Sequence, residues 1–191
     1  MSNSSVIEGV DYGPLAGLIG LWKGDKGVDK APEPDGEARS PYYETMLCEG
    51  CGDVDNADEQ VLAIVRYHLV VFRKSNDKAF HNESGYWSWD KSTGVLMKAF
   101  SIPRGFALLA GGRFDARDEY SGEIVLDVKA GGGDPDWTIS QSPYLREKAR
   151  TTAFTNKVVL TADSMSYSQS TMLQIYGREY NHTDVNRLTR A

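Results

Sequence analysis

From Tyr42 onward, short runs rich in β-branched and aromatic residues alternate with clusters of Gly, Asn, Asp, Pro and Ser. Such runs predict β-strands, and the clusters predict tight turns between antiparallel neighbours. The predicted strands cover residues 42–49, 60–73, 78–89, 94–102, 105–111, 122–129, 151–162, 165–176 and 178–190. Two short helical pieces are predicted, at 13–19 and 143–149, which are too few for the crossovers of a parallel sheet.

A meander of about nine or ten strands must protect its edges, and closure into a barrel removes the edges altogether. We therefore predict an all-β fold with a single domain over residues 1–191. Its architecture is a closed antiparallel up-and-down barrel of about ten strands, preceded by a short helical turn. A jelly-roll sandwich is the alternative that the pattern leaves open. The segments 28–41 and 130–137, rich in Pro, Gly and charge, are predicted to be loops.

Composition narrows the expected partners. Of the 191 residues, 40% are hydrophobic and 25% are charged, and the formal net charge is -6. These values are typical of a soluble globular protein, and the negative charge disfavours nucleic acid and anionic membranes. A small molecule inside the barrel is the expected partner. The chain has no run long and apolar enough to span a bilayer, and its start has no signal-peptide pattern, so a cytoplasmic location is expected.

The two cysteines, Cys48 and Cys51, have the spacing C-x-x-C. A structural zinc site needs two more ligands, and a thioredoxin-type pair needs a helix N-terminus in a βαβ unit. Ordinary thiols at a strand end are therefore favoured over redox or metal chemistry.

The segment Gly20-Leu21-Trp22-Lys23-Gly24 follows the first predicted helix and opens the first strand. Glycines beside a tryptophan allow close backbone approach, and the indole is predicted to plug one end of the barrel. The last strand ends in Asn186-Arg187-Leu188-Thr189-Arg190, and one of its arginines is expected to stack on Trp22. Direct contact of Trp22 with a ligand is the alternative.

The G-x-W-x-G element resembles the start of calycin-superfamily barrels, which include lipocalins and fatty-acid-binding proteins. Residues 80–87, with the sequence FHNESGYW, are similar to the Met-His-Ala-Glu-Thr-Gly-Tyr block of the nitrobindins. These are haem-binding ten-stranded barrels that also occur as the C-terminal domain of a THAP-type protein. Residues 180–188, YNHTDVNRL, resemble the nitrobindin last strand, whose histidine is the single protein ligand to haem iron. The resemblance spans nearly the whole chain.

The resemblance implies haem b as the cofactor and His182 as the axial ligand to its iron. Ligation needs a neutral imidazole, because a protonated ring has no lone pair to donate. The resemblance also implies that His81 lines the opposite wall, where its N–H bonds to a diatomic ligand or to peroxynitrite. Met172 and Phe80 would pack against the porphyrin.

Gly20 and Gly24 would let the backbone approach the porphyrin edge, and Trp22 would lie beside the cofactor. The activities that the resemblance implies are NO binding and isomerisation of peroxynitrite to nitrate at ferric haem. The alternative is a haem-free barrel that carries a fatty acid or a similar small apolar ligand. Homodimer formation is left open.

Several residues depart from the nitrobindin pattern. Gly24-Asp25-Lys26-Gly27 contains one extra residue, and Thr183 follows His182 in place of the usual leucine. Strand alternation places Asp184 and Asn186 on the same face as His182, which makes that face more polar than an ordinary haem slot.

Three further titratable residues remain, and these motifs assign no role to them. His68 has no motif support and is interpreted as structural. Glu44 and Glu83 have no partner visible in the sequence, and a buried, hydrogen-bonded role for each is as well supported as a catalytic one.

Overall fold

The computed structural model describes residues 5–115 and 122–191, together with the backbone of residues 119–120. The strands are β1 (Val6–Ile7), β2 (Val10–Asp11), β3 (Gly20–Glu33), β4 (Gly36–Ala57), β5 (Gln60–Arg73), β6 (Ala79–Asp90), β7 (Val95–Ile102), β8 (Phe106–Arg113), β9 (Glu119–Tyr120), β10 (Glu123–Gly131), β11 (Ile139–Gln141), β12 (Ala149–Leu160), β13 (Ser164–Ile175) and β14 (Arg178–Arg190). A 3-10 helix spans Gly13–Leu18, and helix α1 spans Pro143–Lys148. Within the described residues, neither helix is long and apolar enough to cross a membrane.

Ten strands close into an antiparallel barrel, as predicted. Strands β3 to β8 pair in sequence order, and β10, β12, β13 and β14 continue the ring. The last strand pairs with the first through Val185 and Val28, and β10 meets β8 at Lys129 and Gly111. A Cβ atom on Gly112 would lie 2.0 Å from the carbonyl oxygen of Asp127, so glycine allows β8 and β10 to approach at this seam. The short strand β11, which was not predicted, pairs with the other end of β8.

The prediction of a loop over residues 28–41 is wrong. These residues extend β3 and β4 into a hairpin whose last pair is Glu33 and Gly36. Cross-strand contacts offset a composition that disfavours β-strands. One of these contacts is the ion pair of Lys30 and Glu37 at 3.0 Å. The hairpin matters for the site, because it makes Asp29 part of the barrel wall.

The sequence Gly24–Gly27, with its extra residue, forms an irregularity in the pairing of β3 with β4. At Gly27 a Cβ atom would lie 2.0 Å from the ring of Tyr42. The Tyr42 ring therefore occupies the space that any larger residue at position 27 would need.

The 3-10 helix packs over one end of the barrel, where Trp22 is fully buried. The indole N–H of Trp22 donates to the carbonyl of Leu18 at 2.6 Å. The guanidinium of Arg190 lies 4.3 Å from the Trp22 ring centroid, which confirms the predicted contact between the first and last strands. Arg190 also donates to the carbonyls of Gly17, Ile19 and Ala162. This end of the barrel is closed by the plug that the sequence predicted.

Candidate functional site

The barrel encloses a cavity of about 330 Å³ that combines apolar walls with three polar clusters. Its apolar and aromatic lining includes Leu18, Met46, Leu69, Phe80, Phe100, Phe106, Phe154, Val158, Met165 and Leu173. The histidines His81 and His182 enter from β6 and β14, which lie far apart around the ring. A largely apolar cavity with a few convergent polar groups is the usual form of a small-molecule site.

The first polar cluster surrounds His182. Its Nε2 lies 2.7 Å from Oδ1 of Asp29 and 3.7 Å from Oδ2 of Asp184. Asp29 and Asp184 are direct cross-strand neighbours on β3 and β14, so two carboxylates stand side by side with the imidazole between them. Burial acts to lower the pKa of His182, but the hydrogen bond to Asp29 and the charges of Asp184 and Asp29 outweigh it and raise the pKa. Burial, together with the charge of Asp29, raises the pKa of Asp184 to about 6 against the effect of His182.

The second cluster is centred on Glu83, which is 2% exposed. Its carboxylate accepts a hydrogen bond from the Tyr67 hydroxyl at 2.5 Å and lies 3.3 Å from Nε2 of His81 and 3.4 Å from Nζ of Lys98. Burial favours the neutral acid, but Lys98 and His81 hold the pKa of Glu83 at about 2. For His81, burial acts to lower the pKa, and the hydrogen bond and charge of Glu83 raise it by more. The cluster therefore favours a protonated His81 facing the cavity.

The third cluster lines the cavity with Tyr42 and Tyr167, and Glu44, which is 1% exposed, lies behind them. Its carboxylate accepts hydrogen bonds from Asn186 at 2.6 Å and from Tyr167 at 3.0 Å, and the Tyr167 hydroxyl also contacts that of Tyr42 at 2.7 Å. Burial raises the pKa of Glu44 to about 7 despite these bonds. The buried, hydrogen-bonded interpretation thus describes the surroundings of both Glu44 and Glu83.

Of the residues that the resemblance singled out, His182, His81 and Phe80 line the cavity, whereas Met172 does not. In the antiparallel pair of β13 and β14, Thr171 stands opposite His182, and Met172 stands opposite the exposed Asn181. Side chains alternate along a strand, so Thr171 faces inward and Met172 faces outward. The expectation that Met172 packs against a porphyrin is corrected on this ground.

Gly20, Trp22 and Gly24 also lie away from the cavity lining. A Cβ atom on Gly20 would lie 2.7 Å from the Arg190 guanidinium, and one on Gly24 would lie 2.7 Å from the Asn186 amide. These three residues support the closed end of the barrel, and the plug interpretation of Trp22 replaces contact with a cofactor.

Sequence reasoning missed Asp29 and Lys98. Asp29 fell in the predicted loop. Lys98 carried a detectable signal, since it is in phase with the buried Leu96 and Phe100 on the inward face of β7. A lysine at such a position is buried with partners or has a function.

The third histidine and the cysteines lie outside the site, as far as the described residues show. His68 points outward from β5 and hydrogen-bonds Asn82 at 3.0 Å. Cys48 is buried and Cys51 is exposed, and neither forms a disulfide. Burial raises the pKa of Cys48 to about 12, which disfavours a reactive thiolate.

Residues 11–190 match the family described as "THAP4-like, heme-binding beta-barrel domain". The chain belongs to this family. A structural relative is the crystal structure of Rv2717c from M. tuberculosis, with a TM-score of 0.71 and 20% sequence identity over 93% of this chain and 94% of that one. At that identity the likeness supports the fold alone. No curated protein matches the chain.

Haem is the cofactor that membership of this family implies, and the cavity residues fit it. His182 faces the cavity with 30% of its side chain exposed, aromatic and aliphatic walls flank it, and His81 enters from the far side. One feature must change on binding. Ligation through Nε2 of His182 requires the hydrogen bond to Asp29 to open, because one nitrogen cannot donate a proton and a lone pair together.

Proposed function

We propose that this protein holds haem b in the barrel with His182 as the iron ligand, and that the loaded protein binds NO and isomerises peroxynitrite to nitrate. The observation that carries the proposal is the entry of His182 and His81 into one cavity from β14 and β6, in a chain of a haem-binding family.

The two histidines have different hydrogen-bond partners, and these suit different roles. Nε2 of His182 contacts Asp29 on the neighbouring strand, and this nitrogen becomes available to iron when that hydrogen bond opens. His81 is held by Glu83, which is fixed in turn by Tyr67 and Lys98. The raised pKa of His81 favours an imidazolium that offers a hydrogen bond and a positive charge to an anion.

When bound, haem supplies the iron at which NO coordinates and peroxynitrite rearranges. The residues of the chain would ligate the iron and set the polarity of the cavity around it. The apolar walls lower the local dielectric constant, which strengthens the electrostatic effect of the groups inside the cavity. A protonated His81 would favour anionic peroxynitrite over neutral NO, so the two activities should depend differently on this residue.

The direct test is the absorption spectrum of the purified protein supplied with haem. We expect a Soret band in the wild type and its loss or shift in His182→Ala. His68→Ala is the matched control, because it removes a histidine from the outer surface of the same barrel. A Soret band that is identical in all three proteins would exclude His182 as the ligand.

The activity is tested on the loaded protein by following peroxynitrite decay and nitrate yield. His81→Gln keeps a hydrogen-bonding side chain but removes the charge, so we expect slower isomerisation with NO affinity largely retained. Equal loss of both activities would show that His81 does not act through its charge. Nitrate formation no faster than with free haem would reject the isomerase proposal and leave haem binding standing.

A further inference from the structure

Lys98 is a buried cation whose hydrogen bonds are long. Its side chain is 8% exposed, compared with 30% for each cavity histidine, so it lies farther from solvent. Its Nζ contacts Glu83 and Asn156, both at 3.4 Å. Charge-assisted hydrogen bonds are usually about 2.7–2.9 Å long, and an ammonium offers three donors. The ammonium of Lys98 therefore has capacity for a better acceptor.

Aromatic rings stabilise this cation without using its donors. Nζ lies 5.3 Å from the Tyr67 ring centroid, 5.6 Å from Trp87, 5.0 Å from Phe100 and 5.8 Å from Phe154. Ring faces attract a cation but accept no ordinary hydrogen bond from it. The walls beside these rings are apolar, so the ammonium lies in a buried and aromatic part of the cavity.

The carboxylate that contacts Lys98 is shared with other donors. Among the described residues, Glu83 is the one carboxylate within contact distance of both Lys98 and His81, and it also accepts the Tyr67 hydrogen bond. Asp184, which lines the same cavity, acts on His81 from farther away. Lys98 therefore shares a single carboxylate with His81 and Tyr67, and a ligand carboxylate would supply it with a closer acceptor.

We propose that Lys98 binds the carboxylate of an amphipathic monocarboxylic acid, whose alkyl tail lies along the apolar walls of the cavity. The apolar lining favours a ligand with a tail over a small inorganic anion. This function goes beyond haem ligation and does not depend on it, because Lys98 belongs to β7 and His182 to β14. The two ligands would compete where they share the cavity walls.

The test compares decanoate with decanol, which has the same tail and no carboxylate, by calorimetric titration of the haem-free protein at pH 7. A hydrogen bond to a buried charged group predicts decanoate binding roughly tenfold to a hundredfold tighter than decanol binding. The double variant Lys98→Met/Glu83→Gln removes both charges of the pair, and His81 loses the carboxylate that raises its pKa, so burial favours the neutral imidazole. We expect this variant to bind the two ligands equally.

His182→Ala separates this proposal from the haem proposal, since it should lose haem ligation and keep the preference for decanoate. Near-UV circular dichroism verifies that each variant is folded, and Glu83→Gln alone, which keeps Lys98, replaces the double variant if that one is unfolded. This single variant should bind decanoate at least as tightly as the wild type, because a competing carboxylate is gone. Equal binding of decanoate and decanol by the wild type, or an unchanged preference in the folded double variant, would overturn the proposal. Weaker decanoate binding by folded Glu83→Gln would also count against it.

Discussion

Nε2 of His182 donates a hydrogen bond to Oδ1 of Asp29 at 2.7 Å, from neighbouring strands of the barrel seam. This nitrogen is the one that iron would need, and a carboxylate beside it favours the protonated ring. Nε2 of His182 can therefore either bind the haem iron or donate the hydrogen bond to Asp29, but cannot do both at once.

Asp29→Asn is accordingly expected to bind haem more tightly at pH 7. A hydrogen bond to a charged group contributes about 1.5–3 kcal/mol, which corresponds to roughly tenfold or more in affinity. The measurement is a haem titration followed at the Soret band. Weaker binding by Asp29→Asn would show instead that the carboxylate supports ligation through the other ring nitrogen.

Thr171 and Met172 offer a test of which face of β13 lies toward the ligand. Thr171 stands beside His182 on the inner face, so Thr171→Trp should fill the cavity and abolish haem binding. Met172→Trp adds a similar bulk on the outer face and should leave the haem titration unchanged. A loss of binding in the Met172 variant alone would mean that the strand shifts its register on loading.

Glu44 is expected to make stability depend on pH. Burial raises its pKa to about 7 in the folded chain, compared with 4.5 in the unfolded chain, so the folded state holds its proton over a range in which the unfolded state has lost it. The associated stability is present below pH 4.5 and is lost as the pH rises through about 7. The loss is about 3 kcal/mol for a shift of this size.

Urea unfolding of Glu44→Gln at pH 5 and pH 8 measures this contribution. The variant should lose less stability than the wild type between these two values, because the amide does not ionise. Glu59→Gln, on an exposed turn, controls for the removal of one negative charge. Parallel pH dependence in the wild type and Glu44→Gln would contradict the raised pKa.

Arg190→Ala should destabilise the closed end of the barrel. The variant loses the contact with Trp22 and three hydrogen bonds to backbone carbonyls, together about 2 kcal/mol or more in the free energy of unfolding. Arg190→Lys keeps the charge but has no planar guanidinium with which to reach three carbonyls at once. We therefore expect it to restore only part of the lost free energy of unfolding. Full restoration by lysine would assign the stability to charge alone.

The strand pattern was sufficient to predict the barrel and the Trp22 plug. Alternation along a strand and turn composition are local properties, and closure follows from the need to protect strand edges. The same alternation correctly placed Asp184 on the cavity face with His182. Met172 was assigned through the resemblance to the nitrobindins, and a matching position along the chain does not specify strand register. The pairing of Thr171 with His182 specifies it.

The sequence by itself determined the fold class and a strand count of about ten, and its resemblance to a known family singled out the two histidines that enter the cavity. Only the tertiary structure decided what those histidines touch. Asp29 reaches His182 through a strand pairing between residues 153 positions apart, and Lys98 reaches Asn156 across the cavity over 58 positions. Such contacts depend on how the ring closes, which no local pattern encodes. Whether His182 meets iron or Asp29 is therefore a question of barrel geometry.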